Sequence, residues 1–543
     1  MPLGNDSKLP SILRFDSPLL HARVRGGPGL REGARDAMTE KRLLAIIEKS
    51  PGSNEYWLVD QDSATAVDFF LPDGWEPIKN HLIVLLDAKS FFTKSKILPH
   101  PSTRIICLST LKRLVTKTWA ESLKLKDFAS GDDAVVWSRD ALNNAMARIS
   151  RWRVEQLAKL ECQVIVATIA MENNGLPFKK SSWQAALVEL EQETNAIKDQ
   201  LNGMLKKNGG FLLFGDEPVD LNHHNEVKTA LEDLLGIKLK GTSQSSLQDI
   251  DHQAVKLLLH YRENNHLLGT YGPSFLEKVI NNRLFGHFVP IGSSSGRFAC
   301  HEPNLLALPN YPLFQACLRP EPPRTLLRFD YGGFELRILA SLSQDPALKE
   351  IFNNGQDIHS MVAEAVFQTE VSKTKNAHLR DQAKILNFGL IYGMGEHALA
   401  KQLKISRREA ESMLKNYFKR FSQVHSLLKS LELKAKELGY GQTALGRRAY
   451  FSSEDPGYVS RIARNMPIQG TGADIVKLAL CRVHERLFHE AKSAQVVNLV
   501  HDELVIECDD EDTDHVSALV KQQMESAFLS ILPDVPPEVS IKR

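Results

Sequence analysis

Two apolar runs that each end on a carboxylate, far apart in the chain, constrain the fold more than any other feature. Leu326, Leu327 and Phe329 lead into Asp330 in FDYGGFELR. Val496, Val497, Leu499 and Val500 lead into His501 and Asp502 in LVHDELVIE. A short buried strand that ends on an acid holds that acid rigidly at a sheet edge. Between the two runs the pattern is nearly all helical over residues 346–435, and mixed strand and helix then resume. One sheet, interrupted by a helical insertion and then continued, brings the two acids together. Paired carboxylates can clamp two divalent cations, and two metals about 3.5–4 Å apart support in-line phosphoryl transfer.

The bulk properties bound this reading without deciding it. At 543 residues the chain is long enough for several domains. A net charge of +1 neither demands nor excludes a polyanionic partner, because basic residues lining one cleft are enough to bind one. The six cysteines form no CxxC pair, so neither a zinc site nor a redox motif is indicated, and reduced thiols in an intracellular protein are expected. No apolar run reaches the ~18 residues a membrane span needs, and the N-terminus lacks a signal-peptide pattern. Five arginines and several Gly and Pro in the first 35 residues are interspersed with acids, which reads as a flexible tail over 1–40.

Along the chain the elements group into an α/β and α+β multidomain protein. Residues 41–155 alternate short apolar runs, such as YWLVD and HLIVLLD, with a helical stretch, DALNNAMARISRWRVEQLAKLE; this predicts a small α/β domain. Residues 156–272 are mostly helical and charged, with a long amphipathic stretch from Trp183 and a GTSQSS loop at 241–246. Strands and turns punctuated by Pro303, Pro309, Pro312 and Pro320 occupy 273–345. The helical insertion runs over 346–450, and mixed structure over 451–543 ends on a strand near Val539.

A third motif lies in the insertion. In LRDQAKILNFGLIYGMG, Arg380, Lys384, Phe388 and Tyr392 recur every four residues, so a helix carries them along one slowly drifting stripe. Two cations followed by two aromatics suit a nucleoside triphosphate: the cations meet phosphates, and the rings lie against sugar and base. Gly393 and Gly395 then end the helix. Alone, this stripe reads more readily as a solvated basic helix with a buried aromatic edge. The paired acids favour the nucleotide reading.

Asp330 with Glu335-Leu336-Arg337, the Arg380/Lys384/Phe388/Tyr392 helix, and His501-Asp502-Glu503 resemble the three signature motifs of family A DNA polymerases. SGRFACHEPNLLALP, GQDIHSMVAEAVF and RIARNMPIQGTGADIVK are similar to further segments of that family, so the likeness runs from about residue 156 to near the C-terminus. The resemblance implies a right-hand architecture, with a thumb over 156–272, a palm over 273–345 and 451–543, and fingers over 346–450. It implies template-directed addition of deoxynucleotides to a primer 3′ end by a DNA-directed DNA polymerase, a nucleotidyltransferase. Asp330, Asp502 and the Tyr331 carbonyl would hold two Mg2+ ions, with Mn2+ able to substitute, and Glu503 would stand beside them as a catalytic acid. Glu335 would exclude a 2′-hydroxyl. His359, Arg380 and Lys384 would bind the triphosphate, Phe388 would stack on the sugar, and Tyr392 would sit at the templating position. Arg297, Asn304, Arg461, Asn465, Gln469 and His501 would touch the primer–template, chiefly at backbone and minor-groove atoms. The partners implied are primer–template DNA and dNTPs, with no membrane; replisome partners are not specified.

Two departures from the family carry expectations of their own. Gly332-Gly333-Phe334 replaces the usual Ser-Gln-Ile, which predicts a looser turn after Asp330, a less firmly tied Glu335 and weaker rejection of ribonucleotides. In the N-terminal domain, DAKSFFTKSKIL resembles a proofreading-exonuclease segment, but Phe91 stands where its acid belongs, Cys107 where a second would lie, and Val136 where a tyrosine precedes Asp140. One surviving Asp cannot hold two metals, so 41–155 is expected to be an exonuclease-like domain without proofreading. The lack of a 5′-nuclease segment points to a phage-type enzyme. A single-subunit RNA polymerase shares much of this pattern, but Glu335 and QGTGAD argue against it. An idle DNA-binding scaffold would not need both aspartates.

Overall fold

A computed structural model describes residues 43–48, 55–59, 64–68, 82–85, 87–95, 99, 104–114, 131–205, 218–453 and 455–543. The tail predicted over 1–40 lies outside the described residues. The fold is mixed α and β, and the chain divides into two compact units: residues 1–174, 286–306 and 322–543 form one, and 175–285 with 307–321 the other.

Among the described residues the first unit contains two larger sheets and two small two-stranded ones, His287–Val289 with Ala299–His301 and Tyr440–Gln442 with Arg448–Tyr450. The N-terminal one comprises β1 (Leu43–Glu48), β2 (Glu55–Val59), β3 (Ala64–Asp68), β4 (Leu82–Leu85) and β5 (Arg104–Cys107), in the order β3-β2-β1-β4-β5. β1 pairs antiparallel with β2 and parallel with β4, which pairs parallel with β5. The single helix expected at 140–161 is two helices. α1 (Gly131–Trp152) and α2 (Glu155–Asn174) are broken at Arg153, whose φ of 56° no continuous α-helix accommodates. α2 is apolar on nearly all sides, from Leu157 to Met171, and is buried accordingly.

The second sheet of this unit is assembled from the runs that end on acids. β6 (Arg324–Tyr331), β7 (Gln495–Val500), β8 (Glu503–Asp509) and β9 (Val539–Lys542) take the order β7-β8-β6-β9, antiparallel throughout. β6 is therefore central although its partners lie far along the chain. Leu327 and Phe329 are fully buried, as are Leu504 and Ile506 on β8, so the strands are fixed by apolar burial on the helix-covered face. Among the helices between the strands are α3 (Phe334–Ser343), α4 (Ile358–Phe367), α5 (Ala377–Ile391), α6 (Pro456–Asn465) and α7 (Thr471–Glu490), and α8 (Thr513–Ile531) follows β8.

The second unit is mainly helical, with Lys180–Met204, His224–Leu235 and Gln253–Tyr271 as its longer helices and one small sheet of Leu176–Pro177, Arg283–Leu284 and Val279–Ile280. Trp183 anchors it: the indole is fully buried, its N–H donates to Tyr271 O at 3.0 Å, and Phe178, Phe275 and Phe314 pack around it. The GTSQSS segment is only partly a loop, because a short helix, Gln244–Leu247, starts within it. Among the described residues no helix is long and apolar enough to cross a membrane.

Candidate active site

Asp330 lies one residue inside the end of β6 and is paired in register with Glu503 on β8. Directly opposed residues on antiparallel strands project to the same face, so these two acids share a face of the sheet. Asp502 is not at a strand end as the sequence suggests. With His501 it forms the two-residue turn of the β7–β8 hairpin, in which Val500 faces Glu503. His501 has φ of 55°, a conformation that primed hairpin turns require and that costs a non-glycine residue about 1–3 kcal/mol. That strain is retained because the flanking strands are fixed, and it sets Asp502 beyond the sheet edge, close to Asp330.

The electrostatics of the acids record this proximity. Burial, and then the charge of Asp330, push the Asp502 carboxyl up to about 6 from an ordinary 3.8. Burial also raises Asp330 and Glu503, with Lys542 opposing the shift at Asp330 and Arg328 opposing it at Glu503. Arg328 reaches Glu503 at 3.6 Å. Two half-buried carboxylates that repel one another fit a site for divalent cations. Among the described residues no group of three or more His, Cys, Asp or Glu side chains is placed to hold a metal ion by itself. A cation here would therefore complete its shell with water, backbone carbonyls or phosphate oxygens, as Mg2+ commonly does.

A cleft of about 740 Å3 opens beside these acids, and Arg297, Tyr331, Glu335, Phe388, Tyr392, Gln469, His501 and Asp502 line it together. Arg297 Nη2 donates to Glu335 Oε1 at 2.9 Å, and the Tyr392 hydroxyl donates to Glu335 Oε2 at 3.4 Å. Glu335 is thus held from two sides. The looser turn expected from Gly332-Gly333 is not found. Gly332 N–H donates to Glu538 O at 2.9 Å; Arg337 donates from Nε to Gly332 O at 2.7 Å, to Pro536 O, and from Nη2 to Glu538 at 2.6 Å. Gly333, with φ of 62°, is the residue before α3, where an αL conformation favours glycine. Phe334 stacks on Tyr331 with ring centroids 4.6 Å apart and 13° between planes. A Cβ on Gly472 of α7 would approach Phe334 Cε1 to 2.9 Å, so the small residue on α7 makes room for the large one on α3.

α5 ends at Ile391, and Gly393 adopts φ of 79°, as the glycines after Tyr392 predict. Phe388 and Tyr392 reach the cleft, whereas Arg380 lies further back. Its guanidinium makes a two-point pair with Asp357, with Nε to Oδ2 at 2.8 Å and Nη2 to Oδ1 at 2.9 Å. The bond from Arg380 holds the Asp357 carboxyl well below its usual range. Asp357 also caps α4 through Ser360 N–H at 2.9 Å. The role of Asp357 went unread in the sequence, although an Asp directly before the apolar run IHSMVAEAVF is a helix-start signal. His359 packs 6.0 Å from the Phe388 ring, and burial followed by the Arg380 charge lowers its pKa to about 4. Asn387 Nδ2 donates to His359 Nδ1 at 3.1 Å, leaving Nε2 to carry the proton of the neutral ring.

Arg461, Asn465 and Gln469 follow one another along α6 and a π-helical turn, Met466–Gly470, that joins α6 to α7. Such turns widen the helix by a residue and recur at functional sites. The buried Oδ1 of Asn465 has no hydrogen-bond partner, which suits a side chain awaiting one. Asn304 is exposed, and its Oδ1 accepts from Leu306 N–H at 3.1 Å.

The family model described as DNA polymerase family A matches residues 180–543. The chain belongs to that family. It is 36% identical over 294 residues to the DNA polymerase I of Caldicellulosiruptor bescii, a match spanning 52% of this chain and 34% of that protein. It is 33% identical over 399 residues to the thermostable DNA polymerase I of Thermus filiformis (68% of this chain, 45% of that one). It is 30% identical over 423 residues to the DNA polymerase I of Geobacillus stearothermophilus (74% and 47%). The matches thus span between about a third and a half of the length of these relatives. In fold the chain is similar to the POL domain of Pol1 from M. smegmatis, solved in complex with DNA primer-template and dNTP; the TM-score is 0.76 at 23% identity, covering 95% of this chain and 97% of that one.

Proposed function

We propose that this protein is a DNA-directed DNA polymerase that extends a primer 3′ end by adding deoxynucleotides opposite a DNA template. The observation that carries the proposal is the convergence of Asp330 and Asp502, two repelling half-buried carboxylates, beside a cleft whose wall is the Arg297–Glu335–Tyr392 chain. Asp330, Asp502 and the Tyr331 carbonyl would hold two divalent cations, Mg2+ with Mn2+ able to substitute, and Glu503 would support them from the neighbouring register position. Such cations would supply a lowered pKa at the primer 3′-hydroxyl and neutralisation of charge on the triphosphate.

The protein's own groups supply selection and positioning. Glu335, fixed by Arg297 and Tyr392, fills the space a 2′-hydroxyl would occupy. Arg380, Lys384 and the Nε2–H of His359 receive the phosphates, Arg380 by leaving Asp357 when the triphosphate arrives. Phe388 stacks on the sugar, and Tyr392 occupies the place of the next templating base until α5 moves. Arg297, Asn304, Arg461, Asn465, Gln469 and His501 contact the primer–template. In this reading 156–272 acts as the thumb, 346–450 as the fingers, and 273–345 with 451–543, which carry the sheet of β6 to β9, as the palm. Phosphate contacts from thumb lysines and arginines make binding fall with salt. The N-terminal sheet is an exonuclease relic without proofreading, and the protein works inside the cell.

Primer extension with Mg2+ and all four dNTPs, comparing wild type with Asp502→Ala, tests the reading. Template-directed extension lost in the variant is expected, and a mismatched 3′ end should persist in a parallel reaction. Extension by the variant at the wild-type rate would overturn the assignment of Asp502. Preference for NTPs would move the protein to the RNA polymerases. Degradation of a labelled single strand, lost in Asp140→Ala, would overturn the claim of a dead nuclease.

A further inference from the structure

Behind the cleft wall lies a buried group of four charges that the proposed chemistry does not use. Glu161 of α2, Asp474 and Lys477 of α7 are fully buried, and Arg447 is 4% exposed. Arg447 donates from Nε and Nη2 to Asp474 Oδ1, at 2.9 and 2.6 Å, and from Nη2 to Glu161 as well. Lys477 Nζ donates to Glu161 Oε1, and the Thr443 hydroxyl to Asp474 Oδ2 at 2.8 Å. Two acids and two bases balance. Apolar side chains of like volume are often as stabilising as such a buried ionic group, so stability alone does not account for it.

What rests on the group is more telling. Gly296 has φ of 82°, and a Cβ there would lie 2.5 Å from Arg447 Nε and 2.6 Å from Cζ, so the guanidinium lies directly against the Gly296 backbone. Lys477 Nζ stands 5.7 Å from the centroid of the Phe298 ring. Between these two supported residues is Arg297, the residue that holds Glu335 at 2.9 Å. The backbone segment that aims Arg297 is therefore seated on the ion group from behind. Three of the four charges lie inside 180–543, the span matched by the family model, but Glu161 lies upstream of it. Without Glu161 the group would carry a net positive charge.

We propose that Arg447 and Lys477, balanced by Asp474 and by Glu161 from the upstream helix, are positioning residues for Arg297 and, through it, for the Glu335 barrier that selects the sugar. The inference rests on the polymerase reading above and deepens it. Two variants test it in the full-length protein. Arg447→Lys keeps the charge and loses the flat face under Gly296; Glu161→Gln keeps the shape and removes the balancing charge. kcat/KM would be measured for one dNTP and the matching NTP on the same primed template, with circular dichroism and thermal melting to establish the folded fraction. Each folded variant should show a dNTP-to-NTP preference at least 10-fold below wild type. A merely structural role would lower both substrates in proportion to the folded fraction and leave the ratio unchanged. A ratio within 2-fold of wild type in folded variants therefore overturns the inference and leaves the polymerase reading standing. If Arg447→Lys does not fold, Glu161→Gln decides on the same thresholds, because it leaves the Arg447–Asp474 pair intact. A folded wild type that extends no primer overturns both.

Discussion

Asp502→Asn should make the metal-free protein more stable while abolishing extension. The Asp502 carboxyl titrates near 6 in the folded protein against an ordinary 3.8, burial and the Asp330 charge being the chief causes. At about 1.4 kcal/mol per pH unit, that difference costs the folded state at most about 3 kcal/mol at pH 7.5. Asp502 is part-exposed, so solvent screening reduces the figure to roughly 1–2 kcal/mol. The sign follows from proton binding. Between pH 3.8 and 6 the folded state binds more protons at this group than the unfolded chain, so the group's contribution to stability falls as pH rises through that window and is flat above it. The isosteric amide has no such penalty. In EDTA at pH 7.5 its Tm should exceed that of wild type by roughly 1–4 °C, and the advantage should about halve at pH 5, where the folded wild-type carboxyl is mostly protonated. Adding Mg2+ should reverse the order, because a ligand that binds only the intact pair stabilises wild type by mass action. Differential scanning calorimetry of both proteins in EDTA at the two pH values, then with Mg2+, reads all three effects. An amide variant no more stable than wild type at pH 7.5, or an advantage that does not shrink at pH 5, would refute the claim that the Asp502 carboxylate is held buried beside a second acid.

Three further outcomes follow from the same site. Glu335→Ala removes the acceptor of both Arg297 and Tyr392, so the dNTP-to-NTP ratio of kcat/KM should fall by about 10–100-fold, a loss of roughly 1.4–2.7 kcal/mol of discrimination; steady-state kinetics with matched nucleotide pairs checks it. Phe388→Tyr should relax exclusion of dideoxynucleotides, and unchanged termination ratios in a sequencing ladder would count against placing Phe388 beside the sugar. Gly472→Ala brings a Cβ within 2.9 Å of Phe334 Cε1, an overpacking that should cost about 1–3 kcal/mol in thermal or chemical denaturation and be largely relieved by Phe334→Leu in the double variant.

The parts of the site that were legible in the sequence are those fixed by periodicity. Apolar runs before Asp330 and Asp502 become the central strand and a hairpin arm because burial on one face admits only one register. The four-residue recurrence from Arg380 to Tyr392 becomes one stripe of α5 for the same kind of reason. What stayed hidden depends on contacts between residues distant in sequence. The strained turn at His501, the Asp357–Arg380 pair and the ties from Arg337 to Pro536 and Glu538 have no local periodic signature. Reading Gly332-Gly333 locally predicts looseness, and the tertiary ties reverse that conclusion.

The same ties bear on how the cleft can move. Glu335 has anchors of two kinds. Its backbone sits on α3, which is bound through Arg337 to the segment leading into β9, and one carboxylate oxygen is held by Arg297 at 2.9 Å. The other oxygen is held by Tyr392, one residue past α5, at a long 3.4 Å and with the ring 41% exposed. A weak, solvent-accessible bond beside a strong pair separates first when a helix swings. On the proposed reading, α5 can therefore withdraw Tyr392 and admit a base while Arg297 keeps Glu335 in place against the sugar. Removing Tyr392's hydroxyl should then alter nucleotide KM and template-base insertion without erasing sugar selection, whereas loss of Arg297 should erase it.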